Sequence, residues 1–173
     1  VTQALIYCYE EPDMVHVVLE KCTEFIIRYI NAYKAVGANG VVIAEPLAGL
    51  LSPGLAQEFS GDYCKRIVDA VRDDNFAVIY HNCGNTANIT LESIFSCGAN
   101  AYHFGNAVNM GGNHGKGAGG YHLHGEHRPG GEFRNGTAES IRAKTPRGHG
   151  AVLQVPELCH LLGLRHPAAV QLG

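Results

Sequence analysis

The sequence predicts an α/β fold in which β-α units repeat along a parallel sheet. Between residues 13 and 104, helical patterns of apolar residues alternate with short apolar runs that are typical of buried strands. In two places, 36–46 and 97–106, a helix end runs through Gly-Ala-Asn into a strand, and these places lie about sixty residues apart. That distance is two β-α units of roughly thirty residues each. Repeated units of this kind form a doubly wound sheet or a barrel.

The first predicted unit is a helix over residues 13–36 followed by the strand "GVVIAEP" at 40–46. Pro12 suits the first turn of the helix, and Gly37 is a natural end to it. The apolar side chains recur every three or four residues, which predicts one buried face. Its members are Val15, Val18, Leu19, Cys22, Ile26, Tyr29, Ile30 and Tyr33.

Two further units follow with the same alternation. A helix is predicted over 52–73, then the strand "FAVIY" at 76–80. A second helix is predicted over 86–97, then the strand "AYHF" at 101–104. The predicted inner side chains of the two helices are Leu55, Phe59, Tyr63, Ile67, Val68 and Val71, and Ile89, Leu91, Ile94 and Phe95.

Polar side chains cluster where these strands end, which is where parallel α/β folds carry their sites. Glu45 follows the first strand, His81 and Cys83 follow the second, and 103–106 end the third. We therefore expect Glu45, His81 and Asn106 to lie at one end of the sheet. Glu45 is a candidate catalytic residue, although it is equally compatible with a solvated carboxylate at a strand end.

The composition narrows the class of protein. The chain has 173 residues, 46% of them hydrophobic, and a net charge of −3, which does not favour a nucleic-acid or anionic-membrane partner. No apolar run approaches the ~20 residues of a membrane span. The six cysteines are scattered, so we expect a cytoplasmic protein with reduced thiols. The first residue is Val1, within a segment that looks structured, and we expect a fragment.

The strongest chemical signal is "YHNCGNT" at 80–86. His81 and Cys83 are two residues apart, so in an extended segment both side chains face the same way. An imidazole and a thiolate are ligands that suit zinc, but a zinc site needs at least a third protein ligand. A hydrogen-bonded His81 beside a Cys83 that packs as a small apolar group explains the pair equally well.

The stretch from about residue 11 to 110 resembles the C-terminal half of the uroporphyrinogen decarboxylase superfamily. The similar segments are "YEEPDMVHVVLEKCTEF", "GANGVVIAEPLAGLLSP", "VIYHNCGNT" and "AYHFGNAVN". The resemblance implies part of a (β/α)8 barrel, which takes ~250 residues when whole. We therefore expect an incomplete barrel, inactive by itself.

The resemblance to one branch of the superfamily, the methylcobalamin:coenzyme M methyltransferases, implies zinc. In that branch zinc is bound by His-x-Cys and a distant cysteine, and a thiol substrate takes a methyl group from a corrinoid on a partner protein. His81 and Cys83 are the matching positions. The alternative is the metal-free decarboxylase branch of porphyrin and haem biosynthesis, in which the same residues would line a porphyrin pocket. A non-enzymatic His-rich metal-binding protein is a third possibility.

The sequence departs from the family at three places. Gly105 and Asn106 stand where an acidic residue often follows the strand. The distant cysteine is missing from its expected setting, because Cys159 lies in a segment without a match. Residues 111–130 also interrupt the match, with glycine, lysine and His114, His122, His124 and His127 instead of a helix and strand.

We interpret 111–130 and 146–173 as segments translated in a shifted reading frame. Shifting possible codons by one base allows "EEIMEKVPADTICMGNIDPA" for the first segment and "MERCCKYPNFVISSGCDIPPLSS" for the second. Both resemble the family, and the second restores a cysteine across the codons of Leu164 and Arg165. Between them, 131–145 resembles a family helix start. The alternatives are a metal-binding His-rich loop and a plain surface loop. We expect neither shifted segment to present a packed, periodic core face.

Overall fold

The computed structural model describes residues 2–108, 122–125, 135–140 and 142–143. The helices of the chain are α1 (Thr2–Glu10), α2 (Pro12–Ala35), α3 (Pro53–Ala56), α4 (Asp62–Val71) and α5 (Leu91–Ser96), with a short 3₁₀ helix at Ala48–Leu50 and a π-helical turn at Gln57–Gly61. The strands are β1 (Gly40–Ala44), β2 (Ala77–Asn82), β3 (Ala101–Phe104) and β4 (His122–Gly125).

The four strands form one parallel sheet in the order β1-β2-β3-β4. Consecutive strands are neighbours, and helices connect β1 to β2 and β2 to β3. Stepwise order of this kind is that of a (β/α)8 barrel wall, whereas a doubly wound sheet reverses direction at a switch point. The predicted fold class, the C-terminal part of an incomplete (β/α)8 barrel, is therefore confirmed.

The two faces of the sheet differ in what covers them. On the helix side, Val78, Tyr80, Tyr102 and Phe104 are buried in the main apolar core, together with Val68 and Ile94 of the helices. The opposite face carries Ala77, Ile79 and Ala101 in a small separate cluster. In a barrel this second face points to the interior. The alternation follows from the two-residue period of a strand.

The long helix α2 buries only part of its predicted face. Ile30 is buried, and Val15, Leu19 and Ile26 are partly buried. The prediction is wrong for four members of the stripe, which are exposed: Val18, Cys22, Tyr29 and Tyr33. The helix carries two adjacent apolar stripes, and only one packs on the described part of the chain. Three- and four-residue spacing cannot separate them, because both stripes share it.

The helical segment before β2 is interrupted by a π-helical turn at Gln57–Gly61. The sequence predicts one continuous helix over 52–73, and its inner side chains are buried as expected, except Leu55, which is partly buried. Helix α5 begins at Leu91 rather than at residue 86, so Ile89 precedes it and is 58% exposed. π-Helical turns recur at functional sites. Ser60 in this turn donates a hydrogen bond to Glu45, as described below.

Strand β4 lies within the segment for which no packed face was expected. Leu123 is 7% exposed and belongs to the main core. For 122–125 the expectation is therefore wrong, because a four-residue strand needs only one inward apolar side chain. The rest of 111–130 and all of 146–173 lie outside the described residues.

The predicted helix start within 131–145 is present at 138–140. The Ser140 amide donates to the Thr137 hydroxyl over 3.2 Å, as in an N-cap. Across the described part of the chain, no helix is long and apolar enough to cross a membrane.

Candidate functional site

The carboxyl ends of β1, β2 and β3 meet along one edge of the sheet. Ala44 is in register with His81, and His81 is in register with His103. Glu45 follows β1 directly, and its amide donates to the His81 carbonyl over 2.9 Å. Asn106 lies two residues beyond β3. The prediction that Glu45, His81 and Asn106 lie at one end of a parallel sheet is therefore confirmed.

The centre of this edge is a pair of histidines on adjacent strands. The Nδ1 atoms of His81 and His103 are 2.8 Å apart, and the rings stack with centroids 4.8 Å apart. Both side chains are half-buried, on the face that carries Ile79 and Ala101. Two ring nitrogens at this distance need a hydrogen between them, so one Nδ1 donates and the other accepts. The two imidazoles are therefore coupled through one N–H···N hydrogen bond.

Cys83 leaves the strand and lies in the following loop. Its side chain is exposed, and its backbone packs against Gly105. A Cβ on residue 105 would lie 2.7 Å from the Cys83 Cα and 2.9 Å from its Cβ. Glycine at 105 is therefore required by the path of the Cys83 loop.

The remaining residues of "HNCGNT" build a crossing of two loops. Gly84 and Gly49 are in backbone contact, and a Cβ on Gly84 would lie 2.6 Å from the Gly49 carbonyl oxygen. The Thr86 amide donates to the same oxygen over 3.0 Å, and its hydroxyl also donates there. The buried Asn82 side chain accepts from the Gly84 amide over 2.8 Å. Asn82, Gly84 and Thr86 of the motif therefore fix the loop that follows His81.

Glu45 is held on the helix side of the sheet, away from the histidine pair. The Ser60 hydroxyl, in the π-helical turn, donates to its carboxylate. Burial, followed by the negative charge of Glu45, raises the pKa of Tyr80 and of the Cys64 thiol. Both groups stay neutral near pH 7, so Cys64 is not a reactive thiolate. The structure does not bring Glu45 together with His81 and Cys83 as side chains, and its catalytic role stays a prediction.

The donor set fits a metal only in part. His81 and His103 offer two imidazoles, and Cys83 offers an exposed thiol nearby in sequence. Among the side chains that the structure describes, no three of His, Cys, Asp or Glu are placed to share one ion. Zinc ligation by His81 and Cys83 together therefore stays a prediction, without a third ligand in the described residues.

His103 is the site residue that the sequence analysis placed at the strand end without giving it a role. The signal was present, because His81 directly follows one predicted strand and His103 lies at the second position from the end of the next. Strand register decides whether two such residues meet, and register depends on tertiary packing. On the far side, His124 of β4 occupies the register position next to His103.

The chain matches the profile of the family "Uroporphyrinogen decarboxylase (URO-D)" over residues 1–149. It is 31% identical over 162 residues to the uroporphyrinogen decarboxylase of Bordetella parapertussis, covering 91% of this chain and 44% of that protein. It is 40% identical over 68 residues to the corresponding protein of Coxiella burnetii, covering 39% of this chain and 19% of that protein. The chain thus spans less than half the length of these relatives. With its parallel β/α architecture, the chain belongs to the uroporphyrinogen decarboxylase (URO-D) family.

Proposed function

We propose that the complete gene product decarboxylates a porphyrinogen, with the His81–His103 end of the barrel as part of the site. The observation that carries the proposal is the pair of imidazoles that hold a proton at the strand ends, 2.8 Å apart, in a chain whose curated relatives are named uroporphyrinogen decarboxylase. Barrels of this class carry their sites at this end of the strands.

The chemistry needs a proton donor and no metal. A proton first adds to the pyrrole ring, and the resulting cationic ring accepts the electron pair of the broken C–C bond as the carboxylate leaves as CO₂. A proton then takes the place of the carboxyl group on carbon, and the ring gives up the proton that it gained. An imidazolium can supply the proton, because imidazole binds and releases a proton near neutral pH. The histidine pair would therefore donate in the state that carries one proton more than the neutral pair. Ala44, the register partner of His81 on β1, has a small and exposed side chain.

The test is decarboxylation of uroporphyrinogen by the full-length gene product, measured as CO₂ release. The proposal expects turnover that falls by roughly 10²-fold or more in His81→Ala, the usual scale for a lost general acid. A matched control is His16→Ala, since His16 contacts Tyr63 and Glu58 on the helix side of the molecule. Absence of CO₂ release from folded, full-length protein would contradict the proposal.

A second candidate function is zinc-dependent methyl transfer from a corrinoid protein to a small thiol. The observation that favours it is the "HNCGNT" loop, in which His81 ends β2 and Cys83 is exposed immediately after it. Zinc would hold the thiol substrate as a thiolate near neutral pH. The residues of this chain that would face it are His81, His103 and Cys83. We further propose a cytoplasmic setting for either activity.

The two candidates give different products from the same protein. Methyl transfer is measured as loss of the methylcobalamin absorption when a thiol such as coenzyme M is added to full-length, zinc-supplied protein. Methyl transfer without CO₂ release would select the second candidate and exclude the first. The chain by itself is expected to show neither activity, because a barrel site draws residues from several strands.

A further inference from the structure

We propose that two copies of this chain associate through their free sheet edges and close an eight-stranded barrel. Each copy supplies four parallel strands in stepwise order, which is half of the eight strands of a (β/α)8 barrel. A two-fold axis along the barrel pairs β1 of each copy with β4 of the other, and both new pairs are parallel. Because the copies repeat the same four strands, this barrel doubles one half of the site and does not complete it.

Both edges of the sheet are free in the part of the chain that the structure describes, since no strand lies beyond β1 or β4 there. The Asn39 carbonyl accepts from the Ala77 amide over 2.9 Å. The Glu45 amide donates to the His81 carbonyl over the same distance. Odd-numbered residues of β1 therefore bond to β2, and the alternation of a strand points the amide and carbonyl of Val42 to the outer edge. A free edge is a template for another strand, and closure into a barrel removes it.

The inner face of the sheet is open and apolar on its β1 side. Val42 lies on this face as the register partner of Ile79, and 61% of its surface is exposed. Ala44 is also exposed, whereas Val41 and Ile43 on the other face of β1 pack on the main core. Branched apolar side chains fill the interior of eight-stranded barrels. The facing strands of a second copy therefore cover Val42 and enclose the face that carries the histidine pair.

Helix α2 presents a second uncovered surface on the same flank. It packs on α4, to which the Glu20–Arg66 ion pair links it. The stripe of Val18, Phe25 and Tyr29 lies on the other side of the helix, and Phe25 is 65% exposed. The Phe25 and Tyr29 rings stack with centroids 5.8 Å apart. Because α2 precedes β1 and α4 follows it, this stripe lies beyond the free edge of β1, where the helices of the second copy pack.

The uncovered surface on this flank is large enough to contribute to a dimer. At roughly 200 Å² for a large aromatic side chain, the exposed parts of Phe25, Tyr29 and Tyr33 offer ~300 Å² in each copy. A specific dimer buries about 800 Å² per partner, and the two strand edges and the inner face supply the remainder. Contiguous apolar patches of a few hundred Å² or more are typical of interaction surfaces.

The experiment is sedimentation equilibrium of the chain under reducing conditions, which exclude disulfide links through the exposed Cys22. We expect a mass of about 37 kDa, from two chains of 18.5 kDa each. Val42→Pro removes the outward N–H, which a free edge tolerates and a paired edge does not. Val42→Lys places a charge inside the closed barrel but in solvent in a single copy. Both variants should sediment as monomers at concentrations at which the parent chain is a dimer.

The matched control is Ile89→Lys, at a similarly exposed position before α5 and away from both sheet edges. This variant should remain a dimer. Hydrogen exchange then locates the contact. The Val42 amide should be protected in the dimer and exchange faster on dilution, whereas the Ile43 amide, which points to β2, should stay protected at both concentrations.

Three results would overturn the proposal. The first is a monomer, or aggregates without a defined mass, across the concentration range, which would leave these surfaces to a different partner. The second is a dimer that Val42→Lys disrupts and Val42→Pro does not, because the sheet faces would then stack without closing a barrel. The third is a dimer that both variants retain, since its contact would lie outside β1. Circular dichroism of each variant establishes that the helices and strands are intact.

Discussion

Gly84→Ala tests the loop crossing that fixes the segment after His81. A Cβ on residue 84 would lie 2.6 Å from the carbonyl oxygen and 2.7 Å from the carbonyl carbon of Gly49, with the Gly49 Cα closest of all. All three are backbone atoms, so no change of rotamer can relieve the contact. Gly84 has no positive φ, since Gly37 and Gly98 are the positive-φ glycines within the described ranges. The effect therefore isolates the contact.

The magnitude follows from two contributions. Overpacking of a tight contact costs about 1–3 kcal/mol. Separation of the loops also weakens the two hydrogen bonds from Thr86 to the Gly49 carbonyl, each worth about 0.5–1.5 kcal/mol. We expect Gly84→Ala to lower the free energy of unfolding by about 2–6 kcal/mol, because the two losses add when the loops move apart.

The assay is urea unfolding followed by circular dichroism, and the matched control is Gly54→Ala. A Cβ on Gly54, in α3, meets no atom within 4 Å. Alanine is the better helix former by about 0.5–1 kcal/mol, so the control should be neutral or slightly stabilising. Equal unfolding midpoints for Gly84→Ala and Gly54→Ala would refute the reasoning, since the two glycines would then be equally free to carry a side chain.

Three further predictions test other parts of the structure. Gly105→Asp should destabilise the chain by about 1–3 kcal/mol, because the new Cβ meets the Cys83 backbone; an unchanged urea midpoint would contradict this. The Lys34 ammonium lowers the pKa of Asp73 below its ordinary 3.8, so the stabilisation is present above that value and is lost as the pH falls through the folded pKa. The stability difference between the parent and Asp73→Asn should therefore shrink from pH 7 to pH 3, and a constant difference would exclude the pairing. Finally, the nucleotide sequence should show the frame disturbed near Met110, restored near residue 130 and disturbed again near residue 145, with "ICMG" encoded near β4 in place of "HLHG"; an undisturbed frame would remove this interpretation.

The sequence predicts the units of this fold well, because strands and helices differ in apolar period. Helix α2 begins and ends within one residue of its predicted bounds, and β3 coincides with its prediction. The exposed stripe through Val18 and Tyr29 was not predictable, since burial depends on what packs against a helix and not on the helix alone. Strand β4 was not predicted, because four residues with one apolar side chain are too few to show the alternating pattern of a strand.

The position of the candidate site could be predicted from the sequence, but the contacts between its side chains could not. The end of β2 and the residues that follow it could be placed from the topology rule for parallel strands. The pairing of His81 with His103 required the register of two strands that are 22 residues apart in sequence. The hydrogen bond between Glu45 and Ser60 requires that the Glu45 side chain continues the alternation of β1 and lies on the helix side. It also requires a π-helical turn that no sequence pattern indicated.

Nitrogen-15 NMR of the histidine rings tests most directly whether His81 and His103 are one unit. The shared hydrogen predicts that one of the two rings carries its proton on Nδ1 and that the other has an unprotonated Nδ1. His103→Ala should shift the ring nitrogen signals of His81, whereas His16→Ala should leave them in place. Ring signals of His81 that are the same in the parent chain and in His103→Ala would contradict the pair on which the proton-donor role depends.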